Sequence, residues 1–228
     1  MNVYAVADIH GNFAAYKAIK EYVQPDDIVY CLGDCGDRGP KPWETIVAIY
    51  NDPQFIYMKG NHEDMLVNAI REWQPEHIKD EEYYLLEHNG GRRTFNGWKN
   101  SSKRNIWASR LEKLPFYLIH VNKNNQIIHL SHAGFTPPTI PCYDELIWSR
   151  HHFGEEWTGK DNEFIVHGHT PTSHMARDTH EVYKYCKGHK IDIDISTWKT
   201  NKVALLNLDT LEPIYLTANT EDTNYGEK

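Results

Sequence analysis

Acidic, imidazole and amide side chains recur in short glycine-containing loops along the chain. The loops read DIHGN at 8–12, GDCGDRG at 33–39, GNHE at 60–63, SHAG at 131–134 and GHT at 168–170. Carboxylate, imidazole and amide ligands suit divalent Mn, Fe or Zn better than a soft, thiolate-bound metal. The loops supply six candidate metal ligands: Asp8, His10, Asp34, Asn61, His132 and His169. Two ions about 3.5 to 4 Å apart would need a shared ligand, and a carboxylate has two oxygens with which to bridge them.

The elements that precede these loops must bring them to one place. Short apolar segments at 3–7, 28–32 and 55–58 predict buried strands before the first three loops, and helical patterns at 13–23 and 40–50 connect them. Asp34 follows Asp8 by 26 residues and Asn61 follows Asp34 by 27, close to the length of one βαβ unit. We therefore expect parallel strands with the loops at their carboxyl edge, where α/β sheets build their sites.

The second half of the chain predicts more strands than helices. Helical patterns cover much of 63–114, and strands are predicted at 117–121, 126–130, 163–167, 182–186, 190–193, 202–208 and 214–217. The loops that carry His132 and His169 follow two of these strands. The pattern predicts one α/β domain over 1–218, with a polar and flexible tail over 219–228.

Composition narrows the class of protein. With 228 residues, 40% hydrophobic and 25% charged, the chain can bury a core and is not a disordered or fibrous protein. A net charge of -8 argues against general binding of nucleic acid or anionic membranes, and no apolar run approaches the roughly 18 residues of a membrane span. The four cysteines form no C-x-x-C pair, which favours reduced thiols and a cytoplasmic protein.

The order of these motifs carries a family resemblance. The five loops, with GDCGDRG as the most specific, resemble the signature set of the PPP-type metallophosphatases within the calcineurin-like superfamily. The segments 89–91 (NGG) and 148–150 (WSR) add a likeness to its small bacterial and phage branch. The resemblance implies an α/β four-layer sandwich of two mixed β-sheets flanked by helices, with the site at the loop edge.

The resemblance also implies a role for each site residue. Asp8 and His10 would hold one divalent ion, Asp34 would bridge to a second, and Asn61, His132 and His169 would complete the second ion's ligands. Mn is the expected metal, with Fe or Zn as alternatives. A metal-bound hydroxide would attack the phosphorus of the substrate.

Four further residues would assist the reaction. His62 would protonate the departing alkoxide, and Asp37 would orient His62. Arg38 and Arg150, together with Asn61, would bind the phosphoryl group.

The expected activity is hydrolysis of phosphate monoesters, with phosphoserine and phosphothreonine in proteins as the leading substrates and other small phosphoesters also accepted. Hydrolysis of dinucleoside polyphosphates of the Ap4A type is the alternative. A phosphatase fold that only binds its partner is less favoured, because the full set of ligands and the proton donor are present.

Two segments depart from or add to the family pattern. At 194–199 the sequence DISTWK replaces a glycine-rich turn, which could reshape the rim of the pocket, and Ala7 replaces a glycine. Residues 92–110 carry six basic side chains, no acidic one and three aromatics: Arg92, Arg93, Lys99, Lys103, Arg104, Arg110, Phe95, Trp98 and Trp107. The favoured interpretation is a solvated helical surface with the tryptophans in the core; the alternative is contact with a nucleotide or an acidic phosphopeptide.

Overall fold

Two five-stranded β-sheets form the centre of the protein. The computed structural model describes residues 1–73, 81–138, 141–176 and 179–218. The strands are β1 (Val3–Val6), β2 (Ile28–Cys31), β3 (Phe55–Tyr57), β4 (Tyr117–Val121), β5 (Ile127–Ser131), β6 (Glu163–His167), β7 (Tyr183–Tyr185), β8 (Lys190–Asp192), β9 (Lys202–Asn207) and β10 (Glu212–Thr217). Sheet 1 has the order β10-β9-β1-β2-β3 and sheet 2 the order β4-β5-β6-β8-β7.

Both sheets mix parallel and antiparallel strands. In sheet 1 the strands β1, β2 and β3 are parallel, and β9 pairs antiparallel with both β1 and β10. In sheet 2 the strands β5, β6 and β8 are parallel, with antiparallel β4 and β7 at the edges. The parallel strands of each sheet direct their carboxyl ends, and the loops that follow, to one edge.

The helices pack mainly on the outer face of sheet 1. They are α1 (Phe13–Tyr22), α2 (Pro42–Asn51), α3 (Asn61–Glu72), α4 (Glu81–His88), α5 (Arg92–Asn100), α6 (Arg104–Glu112), α7 (Tyr143–Trp148) and α8 (Thr197–Thr200). Side chains from α1, α2, α3, α5 and α6 share one buried cluster with sheet 1. On the outer face of sheet 2, Leu146 of α7 packs with Phe135 and Ile165. The predicted α/β architecture, two mixed sheets flanked by helices, is confirmed.

Strand β1 lacks the alternation of polar and apolar residues that is typical of a surface strand. Its four residues are all buried, because sheet 1 lies between the helices and sheet 2. Tyr4 and Val6 belong to the core on the helix side, and Val3 and Ala5 to the core between the sheets. A strand that is covered on both faces loses the polar alternation of a surface strand.

Most predicted strands differ from the structure by one or two residues at an end, and β7 and β10 show why. The strand predicted at 182–186 ends at Tyr185, because Cys186 and Lys187 adopt left-handed backbone angles of φ 51° and 58°. The strand predicted to begin at 214 begins at Glu212 and includes Pro213. Proline lacks an N–H donor, and β10 tolerates it because it is an edge strand.

No helix in the described ranges is long and apolar enough to cross a membrane. The predicted tail, 219–228, lies outside the described residues.

Candidate metal centre

All six predicted ligands come together at the carboxyl edge of the two sheets. Asp8 and His10 follow β1, Asp34 follows β2, and Asn61 begins α3 after β3. His132 and His169 follow β5 and β6 of the second sheet. All six side chains are buried.

The Asp34 carboxylate lies between two groups of potential ligands. Its Oδ2 is 3.6 Å from His10 Nε2, 3.7 Å from His62 Nε2 and 3.4 Å from His132 Nε2. One group contains His10, Asp34 and His62, the other Asp8, Asp34 and His132; the ligand atoms within each lie within 4.8 Å of one another. Asp34 alone belongs to both groups, which is the position that a bridging carboxylate requires.

Backbone carbonyls fix the histidine tautomers. His10 Nδ1 lies 3.0 Å from Gly36 O, His132 Nδ1 2.9 Å from Leu32 O, and His169 Nε2 3.1 Å from Trp148 O. A carbonyl only accepts, so each of these nitrogens is the donor. The opposite nitrogen of each ring is thereby directed to the centre, the arrangement usual for metal-binding histidines.

Three potential acceptor atoms converge on the second-sheet side of Asp34. Asn61 Oδ1 lies 2.9 Å from His132 Nε2 and 3.0 Å from His169 Nδ1, and the two nitrogens are 3.2 Å apart. Three lone pairs this close require a positive charge among them, either a proton on one imidazole or a metal ion. Although burial alone would lower it, the charges of Asp34 and Asp8 raise the pKa of His132 to about 10.

Asp8 has a buried oxygen without a hydrogen bond. Its Oδ2 accepts a hydrogen bond of 2.9 Å from the backbone N–H of His169, whereas Oδ1, which lies 3.7 Å from His10 Nε2, has no hydrogen-bond partner among the described residues. Burial, and then the charge of Asp194, raise the pKa of Asp8 well above its ordinary value. An unpaired buried carboxylate oxygen is costly, and a cation would satisfy it. The residues present therefore fit a divalent metal.

The backbone of the loops is strained where the ligands lie. Asp8, His10, Asp34 and His169 have φ of 52°, 44°, 55° and 72°, in the left-handed region that non-glycine residues rarely adopt. Such strain is found where a site needs a particular side-chain direction. Position 168 requires glycine, because a Cβ there would lie 2.0 Å from Asp8 Oδ2.

His62 belongs to a hydrogen-bonded chain beside the ligands. Its Nδ1 lies 2.5 Å from Asp37 Oδ2, and the other Asp37 oxygen accepts from the Thr94 hydroxyl. The Asp37 backbone N–H also donates to Thr94 Oγ1, at 2.9 Å. The predicted His62–Asp37 pairing is therefore present in the structure. Sequence analysis did not identify Thr94, whose signal was only its position shortly after the NGG segment.

Glu63 is a second residue that sequence analysis did not identify. Its buried carboxylate accepts hydrogen bonds from the backbone N–H groups of Asp34, Cys35 and Gly60, at 2.8 to 2.9 Å, and from the Tyr57 hydroxyl at 2.7 Å. The signal was its place at the third position of α3, where a glutamate commonly caps the helix start. Glu63 thus ties the Asp34 loop to the start of α3.

The two predicted arginines differ in their exposure. Arg38 is half-buried, and its guanidinium lies 2.7 Å from His10 Nε2 and 3.0 Å from His62 Nε2. Arg150 is exposed, yet it is close enough for its charge to lower the pKa of His169, after burial and His132. Arg38 therefore contacts the centre directly, whereas the phosphate-binding role of Arg150 stays a prediction.

The aromatic side chains of segment 92–110 do not reach this site. Phe95, Trp98 and Trp107 are buried in the core on the helix side of sheet 1. The interpretation with tryptophans in the core is therefore confirmed. Burial of these rings is incompatible with their stacking on a nucleotide base, whereas contact of the basic side chains of the segment with a nucleotide or an acidic phosphopeptide stays a prediction.

Cys35 lies beside Asp34 but is not suited to nucleophilic attack. Its Sγ is 3.1 Å from Cys31 Sγ, and both thiols are buried. Burial, and then the neighbouring Cys31, raise the pKa of Cys35 well above its ordinary value. A thiol in this setting remains protonated and packs in the core.

Two proteins of similar sequence are named as enzymes that cleave phosphoesters or polyphosphates. The symmetrical bis(5'-nucleosyl)-tetraphosphatase of Wigglesworthia glossinidia brevipalpis is 27% identical over 141 residues, or 60% of this chain and 46% of that protein. Serine/threonine-protein phosphatase 2 of Salmonella typhimurium is 22% identical over 210 residues, or 82% of this chain and 90% of that protein. The chain thus spans less than half of the tetraphosphatase and most of the phosphatase.

Solved structures show the same fold at low identity. A candidate diadenosine tetraphosphatase superposes with a TM-score of 0.66 at 16% identity, covering 95% of this chain and 93% of that one. A serine/threonine phosphatase from Saccharomyces cerevisiae, similar to human PP5, has a TM-score of 0.54 at 17% identity, covering 98% and 82%. The family model described as calcineurin-like phosphoesterase matches residues 1–196, a range that contains all five site loops. The chain therefore belongs to the calcineurin-like phosphoesterase family.

Proposed function

We propose that the protein is a dinuclear metal-dependent phosphatase that hydrolyses phosphate monoesters, with phosphoserine and phosphothreonine in proteins as its substrates. The observation that carries this proposal is the shared position of Asp34 between two groups of buried ligand atoms. The similarity to Salmonella serine/threonine-protein phosphatase 2, which covers 90% of that protein, supports the substrate class.

The ligand atoms divide around Asp34 into two sets. Asp8, His10 and Asp34 would hold one ion, and Asp34, Asn61, His132 and His169 the other. Bound divalent ions would supply a nucleophile by lowering the pKa of water to near neutrality, and would neutralise phosphoryl charge. Because all ligand atoms are oxygen or nitrogen, Mn is the metal we propose, with Fe or Zn able to use the same set.

His62 is placed to deliver a proton to the leaving group. Asp37 accepts from Nδ1, which leaves Nε2 as the atom that would carry the proton to the departing alkoxide. Thr94 in turn fixes the Asp37 carboxylate. The chain from Thr94 to His62 would therefore set the direction of the donor.

Arg38 and Arg150 would bind the phosphoryl oxygens. A guanidinium offers paired N–H donors in a plane that matches two oxygens of a phosphate. Asn61, at the start of α3, would also contact the substrate. The basic side chains counter the overall negative charge of the protein where a phosphate dianion enters.

A second candidate is hydrolysis of dinucleoside polyphosphates. The similarity to a bis(5'-nucleosyl)-tetraphosphatase over 141 residues favours it. A protein that only binds its partner is disfavoured, because the whole set of ligands, the proton donor and Arg38 are present together.

The experiment that tests the proposal is a substrate comparison. The protein is reconstituted with Mn, Fe or Zn, its metal content is measured, and it is assayed on phosphoserine and phosphothreonine peptides, diadenosine tetraphosphate and p-nitrophenyl phosphate. We expect two ions per chain and the highest kcat/KM on the phosphopeptides. Preference for the tetraphosphate would favour the second candidate, and inactivity on all substrates with two ions bound would contradict both.

A further inference from the structure

Trp198 lies against the arginine that is proposed to bind phosphate. The Arg38 Cζ is 5.8 Å from the centroid of the Trp198 ring, within the range of a cation–π contact. Trp198 is half-buried and belongs to α8, in the segment 194–199 that replaces a glycine-rich turn. The chain therefore has a large aromatic side chain at the rim of the centre.

The backbone around Trp198 is held in place by buried polar groups. Asp194 Oδ1 accepts a hydrogen bond of 2.9 Å from the backbone N–H of Ser196, which adopts a left-handed φ of 59°. The side-chain amide of Asn12 donates to Thr197 O at 3.2 Å, and both residues are buried. Because Asn12 also caps α1 just after the Asp8 loop, Trp198 is anchored to the same loop that carries the ligands.

The polar contacts of Arg38 leave its charge available. In the described part of the chain, its guanidinium hydrogen bonds go to the imidazole nitrogens of His10 and His62. A carboxylate partner would orient the guanidinium but neutralise it. An aromatic ring orients the same group through its quadrupole without adding a negative charge beside the phosphoryl group.

We propose that Trp198 is a positioning residue for Arg38. Its ring holds the guanidinium plane over the centre, so that the paired N–H donors face the phosphoryl oxygens. The inference rests on the proposed function, since it takes Arg38 as the phosphate-binding group.

The test compares side chains that keep or remove the aromatic face. Trp198→Phe keeps a ring, whereas Trp198→Leu keeps apolar bulk without one. On metal-loaded protein, binding of inorganic phosphate is measured by calorimetry, together with KM, kcat and metal content. We expect Trp198→Leu to weaken phosphate binding and raise KM by about 3- to 10-fold, Trp198→Phe to retain most of the affinity, and metal content to stay unchanged.

A matched control distinguishes the positioning role of Trp198 from a general effect of removing a tryptophan. Trp157 is also half-buried, and its ring stacks on His189 with centroids 4.7 Å apart, away from the ligands. Trp157→Leu is expected to leave phosphate binding unchanged. Trp198→Met makes the same comparison if the leucine variant does not fold.

A double-mutant cycle identifies the residue through which Trp198 acts. In an Arg38→Ala background, Trp198→Leu should cause no further loss of phosphate affinity. Equal effects of leucine and phenylalanine, or a loss that persists without Arg38, would overturn the inference while the wild-type protein still binds and hydrolyses phosphoesters. A wild-type protein that binds two ions but neither binds phosphate nor cleaves any phosphoester would instead remove the proposed function and the inference with it.

Discussion

Asp34 is the residue on which the two halves of the centre depend. Its Oδ2 faces three imidazoles, and its Oδ1 accepts from the backbone N–H of His62 at 3.0 Å. That N–H belongs to the first turn of α3, where the helix dipole favours negative charge. Although burial alone would raise it, the charges of His132 and His62 lower the pKa of Asp34 well below its ordinary value.

Asp34→Asn should lower metal content and reduce turnover to background, because an amide cannot bridge two cations as a carboxylate does. Metal content per chain and kcat on a phosphopeptide measure the effect. Asp209→Asn is a matched control, since Asp209 pairs with Lys123 away from the centre. Two tightly bound ions in Asp34→Asn would contradict the bridging role.

His62→Asn should keep both ions and lower kcat by about 10²- to 10⁴-fold, the usual contribution of a general acid. The loss should be smaller for p-nitrophenyl phosphate, whose leaving group needs little protonation, than for phosphoserine. Equal losses on the two substrates would argue that His62 acts only on structure.

Metal binding should release a proton from His132. Its pKa of about 10 means that the imidazole is charged at neutral pH, whereas a ligand must be neutral. Protons therefore compete with the metal below pH 10, and metal affinity should rise by about tenfold per pH unit between pH 6 and 9. Calorimetry in buffers of different ionisation enthalpy measures the released protons, and a pH-independent affinity would count against the prediction.

At the scale of elements, α5 connects the helical layer to the Asp37–His62 pair. Its buried Phe95 and Trp98 pack in the core, while Thr94 on the same helix reaches Asp37. The aromatic and the basic side chains of segment 92–110 therefore have separate places in the fold. Its rings stabilise the fold, and its charged residues cover the outer surface.

Thr94→Val should lower kcat several-fold, because Asp37 loses a hydrogen bond to its carboxylate and a buried charge is then less well held. Metal content should be unchanged. Thr45→Val is a matched control: Thr45 Oγ1 bonds to Lys41 O at the start of α2, and its loss should affect stability without affecting kcat. An unchanged kcat in Thr94→Val would show that His62 and Asp37 do not need this support.

The sequence predicted the elements and loops that short-range patterns determine. The strand-loop repeat around Asp8, Asp34 and Asn61 was visible because β1, β2 and β3 are buried on both faces and so read as apolar runs. Glu63, Thr94 and Trp198 were not assigned roles, since their contacts join segments far apart in the chain. The ends of β7 and β10 were also missed, because a left-handed turn and an edge-strand proline depend on tertiary context.

At the scale of the whole molecule, the centre joins the two sheets at their carboxyl edge, in addition to the apolar core between them and polar contacts such as that of Asn122 with Leu208 O. Asp34 and Asn61 follow strands of sheet 1, and His132 and His169 follow strands of sheet 2. A metal ion held by all four would therefore link the sheets directly. Ligands that bind only the folded chain shift the unfolding equilibrium by mass action.

Adding metal should raise the thermal unfolding midpoint of the protein. At about 100 times its Kd, one ion stabilises by about 2.7 kcal/mol, which corresponds to roughly 5 to 10 °C for a chain of this size. Calorimetric scans with metal and with a chelator measure the shift. Asp34→Asn should lack most of it, and an equal shift in that variant would indicate binding elsewhere.

The anchor between Asn12 and Thr197 spans 185 positions of the chain. A ribosome that has made the first two ligand loops still has most of the polypeptide to synthesise before Asn12 can meet its partner. During that interval the nascent chain carries carboxylates and imidazoles that no finished framework yet arranges. The proposed ligand set is itself complete only once His169 has been synthesised, so we expect capture of metal to come late in the biogenesis of the protein.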